Sequence, residues 1–182
     1  MAGFDINSFK SNFSGGARAY LFMWTPEFPT AISTVMESAK VPYLVRATSL
    51  PEDSVEEIIV NWQGADFKMA GKRTFTDWTI TLNTDKKALI RQDFNSWIQL
   101  IHQIDESATH LYGTPGDGGS TANYFTTQIL QMLDYDGVPI NTLKLVGTWL
   151  KSVSPITLDY SSMDIAQFDI TFTYQYHVLE TA

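Results

Sequence analysis

The residues best suited to chemistry are two histidines and two acids near the middle of the 182-residue chain, namely His102, Asp105, Glu106 and His110. They would share one face of a helix if a helix extended to residue 110. Imidazole and carboxylate groups at this spacing are typical ligands of a divalent metal ion. One hypothesis is therefore a small metal-dependent hydrolase that uses His102, Glu106 and His110. The alternative is a polar helix end that leads into a glycine-rich loop.

Other motifs with known chemistry are incomplete. The segment Asp134-Tyr135-Asp136-Gly137 begins like a calcium loop, but Leu143 occupies the position that needs a bidentate Glu, so Asp136-Gly137 is better explained as a hairpin turn. No Lys-Ser/Thr follows Gly116-Asp117-Gly118-Gly119, which excludes a phosphate loop. The sequence has neither Cys nor Gly-x-Ser-x-Gly, so thiolate chemistry, Cys-bound zinc and that type of serine nucleophile are excluded.

The charge argues against ordinary nucleic-acid binding. The sequence has 12 Lys and Arg and 20 Asp and Glu, which gives a net charge of −8. Residues 105–182 contain only two lysines but nine acidic residues. Proteins that grip a phosphate backbone need clustered Lys and Arg. The sequence also has no basic start followed by an apolar stretch, and no apolar run of about 20 residues. We therefore expect no membrane association and folding in a cytoplasm.

The elements that must position any site are mainly strands. Alternating or apolar strand patterns cover Tyr20–Trp24, Tyr43–Ser49, a projecting hairpin within Val55–Met69, Asp77–Asn83, Tyr124–Leu133, Leu143–Leu150 and Gln167–Val178. An amphipathic helix is predicted over residues 85–104, with Thr84 as its N-cap, and a short helix near Ile32–Ala39.

These patterns predict a single domain over residues 1–182, with a flexible arm, or a strand that orders on assembly, at 1–17 and a Gly-rich loop at 111–123. The fold class is mainly β: a β-sandwich or open antiparallel barrel with one packed α-helix. The five Trp either pack the core and interfaces or form the platform of a monomeric sugar-binding sandwich. The strand Gln167–Val178 has few features that would protect an exposed edge, so subunits are expected to join sheet to sheet.

Several colinear segments over residues 43–182 resemble one protein family. They are Ala47-Thr48-Ser49-Leu50-Pro51, the run Gly71–Thr81, Gly147-Thr148-Trp149, Leu158-Asp159-Tyr160 and the run Phe168–Tyr174. The run Gly71–Thr81 contains the motif residues Arg73, Thr74, Phe75, Asp77 and Trp78. Together they are similar to the tail tube proteins of contractile-tailed bacteriophages. Pro26–Val41 and residues 111–123 are longer than that family's pattern.

The resemblance implies a structural protein rather than an enzyme, with no cofactor. Six subunits would close a continuous inner β-barrel, and the hexameric rings would stack into a hollow tube within the virion tail. The expected partners are further copies of the chain, the tail sheath protein, the tape-measure protein, and the baseplate and tail terminator proteins. DNA would pass through without specific binding. The alternatives are the tube of a contractile injection or type VI secretion system, or a baseplate-proximal tube initiator.

Three sets of residues are assigned to assembly on these grounds. The inter-ring hairpin is expected to use Trp62, Gln63, Asp66 and Phe67, because a clustered apolar patch usually marks an interface. The lateral interface between subunits is assigned to Phe168, Ile170, Phe172 and Tyr174. The channel-lining candidates are Asp159, Asp169, Thr171 and Thr173. A channel wall of acidic and hydroxyl groups would repel DNA rather than bind it. The two acids would otherwise face solvent or the sheath.

Overall fold

The computed structural model describes residues 5–13, 16–30, 32, 38–101, 104–105, 108–109 and 124–181. Its elements in chain order are α1 (Ile6–Phe13), β1 (Phe22–Thr25), a 3₁₀ turn (Ser38–Lys40), α2 (Val41–Leu44), β2 (Val45–Thr48), β3 (Asp53–Trp62), β4 (Ala65–Phe75), β5 (Trp78–Asn83), α3 (Leu89–Ile101), β6 (Ile104–Asp105), β7 (Ala108–Thr109), β8 (Thr126–Leu133), β9 (Pro139–Val153), β10 (Gln167–Thr173) and β11 (Tyr176–Thr181). The predicted mainly β class is confirmed.

Strand β9 organises the main antiparallel sheet. The strand order is β1-β8-β9-β10-β5-β2, and β11 also pairs with β9. The first part of β9 pairs with β8 and β11, whereas residues 149–153 pair with β10. Between the two parts lies Gly147 at φ +66, where an added Cβ would stand 2.7 Å from Cγ of Gln175. Glycine therefore allows one strand to belong to two parts of the sheet, with the core between them.

The core forms from the alternating faces of the central strands and one stripe of α3. Trp78, Ile80 and Leu82 of β5 are fully buried, as alternation predicts. The ring of Trp24 on β1 meets the rings of Trp78 and Phe172 at 5.9 Å between centroids, so the two parts of the sheet touch through aromatic edges. Three of the five Trp, the third being Trp97 on α3, are buried here, which favours core packing over a sugar platform.

The predicted amphipathic helix is confirmed as α3, but both ends differ from the predicted 85 and 104, since α3 ends at Ile101 and Ile104 lies in β6. The helix begins at Leu89, and Ile90, Phe94 and Trp97 face the core. Thr84 is not its cap, because its hydroxyl is buried without a hydrogen-bond partner in the described structure. The carboxylate of Asp85 instead accepts from the backbone N–H groups of Lys87 and Ile90, at 3.2 and 3.4 Å.

The predicted strand Gln167–Val178 is two strands, and the first has no free edge. β10 pairs with β5 on one side and β9 on the other, so the expected open edge there is wrong. The chain leaves the ladder at Tyr174–Gln175 and resumes as β11, which pairs with the earlier part of β9. Among the described strands, the sheet ends at β1 and β2, and β11 pairs with β9 alone.

The N-terminal segment is neither a strand nor wholly irregular, since residues 6–13 form α1. The apolar residues Ile6, Phe9 and Phe13 recur at helical spacing, and the rings of Phe9 and Phe13 stack at 5.2 Å between centroids. No α1 residue is buried. The predicted flexibility of this arm stays a prediction. Val35 and Met36 of the predicted short helix, and the Gly-rich loop at 111–123, lie outside the described residues.

Candidate assembly surfaces

The hairpin of β3 and β4 stands away from the rest of the chain. All ten residues of β3 are exposed, and β4 is partly covered only at Gly71, Thr74 and Phe75. The exposed side chains include the consecutive apolar residues Ile58, Ile59 and Val60, each between 44% and 52% exposed, so alternation puts apolar groups on both faces of the hairpin. Such a surface on one subunit is typical of an interface.

The four residues assigned to the inter-ring hairpin meet at its tip. The turn is Gln63–Gly64, with φ of 48° and 82°, and two positive φ values match the twist of a tight hairpin. Trp62 and Phe67 flank the turn and are 71% and 63% exposed. Asp66 pairs with Asn61 beside them. The tip is therefore an aromatic, solvent-facing knob.

A bulge bends the hairpin between its tip and its base. Val55 pairs with Arg73 and Glu57 with Ala70, so β4 has one residue more than β3 across this stretch. Gly71 occupies the bulge, and a Cβ there would stand 2.9 Å from the carbonyl oxygen of Glu56. A side chain at this position would push the two strands apart. The bulge thus fixes a bend that extra twist normally accompanies.

The family-motif residues gather at the base of the hairpin. Arg73 forms an ion pair with Asp53 and lies over the ring of Phe75, 5.0 Å from its centroid. The hydroxyls of Thr74 and Ser54 are hydrogen-bonded at 2.6 Å. These contacts join the two strands where they leave the body.

The motif continues directly into the body of the subunit. The Asp77 carboxylate accepts from Nζ of Lys151 at 2.5 Å and from the hydroxyl of Thr173 at 2.7 Å. The hydrogen bond from Lys151 lowers the pKa of Asp77. Trp78 is fully buried and its indole N–H donates to the carbonyl of Ser49 at 2.9 Å. The motif therefore ties the hairpin to the sheet.

Sequence reasoning missed the body's side of this contact. The ring of Phe75 lies 5.8 Å from Tyr174 and 5.4 Å from His177, centroid to centroid. Nε2 of His177 lies 3.3 Å from Oδ2 of Asp53. Burial, followed by the charges of Asp53 and Asp77, raises the pKa of Tyr174 to about 12. Alternation predicted that His177 would face solvent, and no local signal in the sequence pairs it with Asp53.

Three of the four channel-lining candidates share one face of β10. Asp169 accepts a hydrogen bond from the hydroxyl of Thr81 at 2.6 Å, and the hydroxyls of Thr171 and Thr79 lie 3.3 Å apart. Thr173 donates to Asp77 at the end of the same row. Lys151 and Arg46, which bonds to Gln167, also reach this face. The face is a hydroxyl-rich wall with charges of both signs.

The fourth candidate, Asp159, lies elsewhere, on the exposed loop between β9 and β10. The backbone N–H of Ser161, and then its hydroxyl, hold the pKa of Asp159 below its usual value. Asp159 and Asp169 nonetheless line the same open cavity of about 660 Å³, together with Asp164. The structure brings the two acids to one recess rather than to one strand face.

The four residues assigned to the lateral interface lie in the subunit's own core. Phe168, Ile170, Phe172 and Tyr174 are at most 6% exposed. Their side chains pack against β5, α3 and the hairpin base, and the backbone of β10 is paired on both sides. These side chains are therefore unavailable to a neighbouring subunit, and lateral contact has to use other strands.

The hypothesis of a metal-dependent hydrolase gains no support from the described residues, among which no three His, Asp or Glu are grouped to hold a metal ion. Its residues His102, Glu106 and His110 lie outside them. The helix that would bring these residues to one face does not extend to residue 110, because Ile104–Asp105 and Ala108–Thr109 are the paired strands β6 and β7. Within the same part of the chain, no helix has the length and apolar character needed to cross a membrane.

Comparisons with known proteins point in one direction. The family profile described as phage tail tube protein matches residues 7–180. The tail tube protein gp19 of Enterobacteria phage T4 is 30% identical over 133 residues, which cover 72% of this chain and 77% of that protein. The tail tube protein of Serratia phage KSP90 is 24% identical over 162 residues, or 87% of each chain. A chain in the six-fold symmetrised baseplate of the anti-feeding prophage shares the fold, with a TM-score of 0.64 at 12% identity, covering 91% of this chain and 95% of that one.

Proposed function

The chain belongs to the phage tail tube protein family, and from this premise we propose how its surfaces assemble it. As a tail tube protein it is a structural subunit of the virion tail. The family is a structural one, and we propose that this chain has no enzymatic activity and needs no cofactor. It forms homohexameric rings that stack into a hollow conduit for the genome.

The observation that carries the stacking model is the exposed hairpin. The tip presents Trp62 and Phe67 to solvent, and β3 presents Ile58, Ile59 and Val60 along its length. An isolated two-stranded hairpin is marginally stable in water, so a long hairpin whose apolar residues are exposed in the described structure suits a binding element. The hairpin of one ring therefore packs on a subunit of the next ring.

Lateral contact uses the strand edges that remain open. In the described structure β1 and β2 end the sheet, and β11 pairs only with β9. Unpaired backbone N–H and C=O groups at such edges recruit strands from another chain. Tyr176, Val178 and Leu179 of β11 are 42% to 56% exposed, in keeping with cover by a neighbour. Edges of this kind join six subunits into one inner barrel.

The hydroxyl-rich face of β5 and β10 is the proposed channel wall. Its hydroxyls are hydrogen-bonded to each other or to carboxylates, and Lys151 is neutralised by Asp77. The two cations described on this face, Lys151 and Arg46, are each held by a partner. Such a wall gives phosphates little to bind, because backbone binding depends on counterion release by Lys and Arg. DNA would pass such a wall without specific contacts. The tape-measure protein would occupy the channel first, and the sheath, baseplate and terminator proteins would contact the outside and the ends.

Electron microscopy of the purified full chain over a range of concentrations tests this proposal. We expect six-membered rings at low concentration and tubes of stacked rings at high concentration, with ring mass checked by native mass spectrometry. A chain that stays monomeric at every concentration, with a cooperative unfolding transition that shows it is folded, would contradict self-assembly.

A further inference from the structure

The hairpin depends on a small set of contacts for its direction. Every residue of β3 is exposed, and β4 becomes partly covered near the body only at Thr74 and Phe75. Beyond those positions the two strands contact each other rather than the sheet. In the described structure, the atoms nearest to a Cβ at Gly71 in the bulge belong to Glu56 and Ile58 of β3, and a Cβ at Gly64 in the turn would have nothing within 4 Å. The angle at which the hairpin leaves the subunit is therefore set at its base.

The body's part of the base is built around His177. Its side chain is 10% exposed, and Nε2 lies 3.3 Å from Oδ2 of Asp53, the oxygen that also accepts from Nη2 of Arg73. The Phe75 ring packs edge-on against the imidazole, with 5.4 Å between centroids. One side chain of the body thus touches a residue of each hairpin strand.

The position of His177 in the chain ties this contact to the sheet of the body. It lies one residue into β11, directly after the break at Tyr174–Gln175 where the chain crosses between the two parts of the sheet. The backbone of His177 is held by its pairing with Leu145 of β9. The imidazole is thus held through β11 to the central strand β9, whereas Asp53 is the first residue of the hairpin.

We propose that His177 is a positioning residue for tube assembly: through Asp53 and Phe75 it fixes the direction in which the hairpin leaves the subunit. This inference rests on the proposed role of the hairpin in ring stacking. Without the contact, Tyr174 would still pack on Phe75, but nothing in the described structure would hold Asp53 to the body. The direction of the hairpin would then vary more, and fewer subunits would present the tip in the orientation that the next ring accepts.

Spin-label distance measurements test the direction of the hairpin itself. The chain has no Cys, so labels at Asn61→Cys near the tip and Asn95→Cys on α3 report one distance, with labelled subunits diluted into unlabelled ones. His177→Phe keeps an aromatic ring beside Phe75 but removes the group facing Asp53. His177→Gln, the matched control, returns an amide near the Nε2 position. Melting temperatures identify variants that are folded.

We expect a narrow distance distribution for the natural chain and His177→Gln, and a distribution at least twice as broad for His177→Phe. Tube elongation by His177→Phe should slow at least tenfold while rings still form. A folded His177→Phe with an unchanged distribution would overturn the positioning role, whatever happens to elongation. A broadened distribution with normal elongation would uphold the anchor and count against the hairpin's role in stacking.

Discussion

The aromatic tip of the hairpin gives the sharpest prediction about stacking. Trp62 and Phe67 are 71% and 63% exposed in the single subunit, so replacing both with Ala removes few contacts within it. Surface substitutions of this kind usually change folding stability by less than about 0.5 kcal/mol. The double variant should therefore fold, melt at the same temperature and form rings, but grow tubes poorly.

The size of the effect follows from the area that stacking would cover. Taking about 200 Å² for each aromatic side chain, the exposed fractions of Trp62 and Phe67 leave about 270 Å² of aromatic surface that the next ring of subunits could bury. At about 25 cal/mol per Å² this amounts to about 6–7 kcal/mol per subunit if burial is complete. Partial burial and the cost of ordering the hairpin reduce the expected loss to about 3 kcal/mol. That loss for a single subunit corresponds to a roughly hundredfold higher critical concentration. Because a stacking ring makes the contact six times, tube growth should be impaired by at least this factor.

Sedimentation of tubes over a concentration series measures this critical concentration. Tyr43→Ala is the matched control, since it removes an aromatic ring that is 87% exposed but lies on α2, away from the hairpin. It should leave tube growth near that of the natural chain. An unchanged critical concentration for Trp62→Ala/Phe67→Ala would refute the stacking role of the tip, and loss of the rings themselves would assign these residues to lateral contact instead.

Three further predictions concern the wall, the central strand and the alkaline limit of stability. Asp169→Lys should leave tubes intact but slow genome ejection at low salt, and the ejection rate should recover as ionic strength rises, because screening weakens the new attraction for phosphate. Asp136→Lys at the exposed β8–β9 turn is the control. A natural ejection rate for Asp169→Lys at low salt would place Asp169 away from the DNA path. Thr171→Pro should lower the free energy of unfolding by about 3 kcal/mol or more and prevent folding, since it removes an N–H within a strand paired on both sides. Thr171→Val, the control, should fold, and soluble yield and circular dichroism show whether each variant is folded. Normal tubes from Thr171→Pro would contradict the central position of β10. Burial raises the pKa of Tyr174 to about 12, so between about pH 10 and 12 the unfolded chain releases a proton that the folded protein keeps, and the free energy of unfolding falls as pH rises. Tyr174→Phe should reduce that fall but match the natural chain near pH 7, because the hydroxyl has no hydrogen-bond partner in the described structure. Identical denaturation curves for both proteins up to pH 12 would show that Tyr174 does not limit stability.

The sequence patterns predicted what depends on local spacing. Alternation identified β5 and the apolar face of β10, and the stripe from Ile90 to Trp97 identified α3. These elements are regular because one face of each is buried, and burial leaves a periodic signal. The hairpin was predicted for a different reason, namely a β-rich run followed by the turn residues Gln63–Asp66, and its strands extend further, to Asp53 and Phe75.

What the patterns could not provide is pairing between distant parts of the chain. Alternation continues unbroken through Tyr174, Tyr176 and Val178, so nothing local marks the change from β10 to β11. The partner of Asp53 at His177 lies more than 100 residues away, and ladder order alone brings them together. Helix α1 was missed because the Ser, Asn and Gly content of the arm outweighed the spacing of its three apolar residues.

The membership of β9 in both parts of the sheet also has a mechanical consequence. A pull on β8 or β11 is transmitted along one covalent backbone to β10, rather than across the side-chain contacts of the core. Force along antiparallel strands loads their hydrogen bonds in shear, so many must break at once. A subunit stretched between its ends should therefore rupture in one event instead of losing one half of the sheet before the other. In a tube made of such subunits, the two halves of each subunit's sheet would then resist separation together.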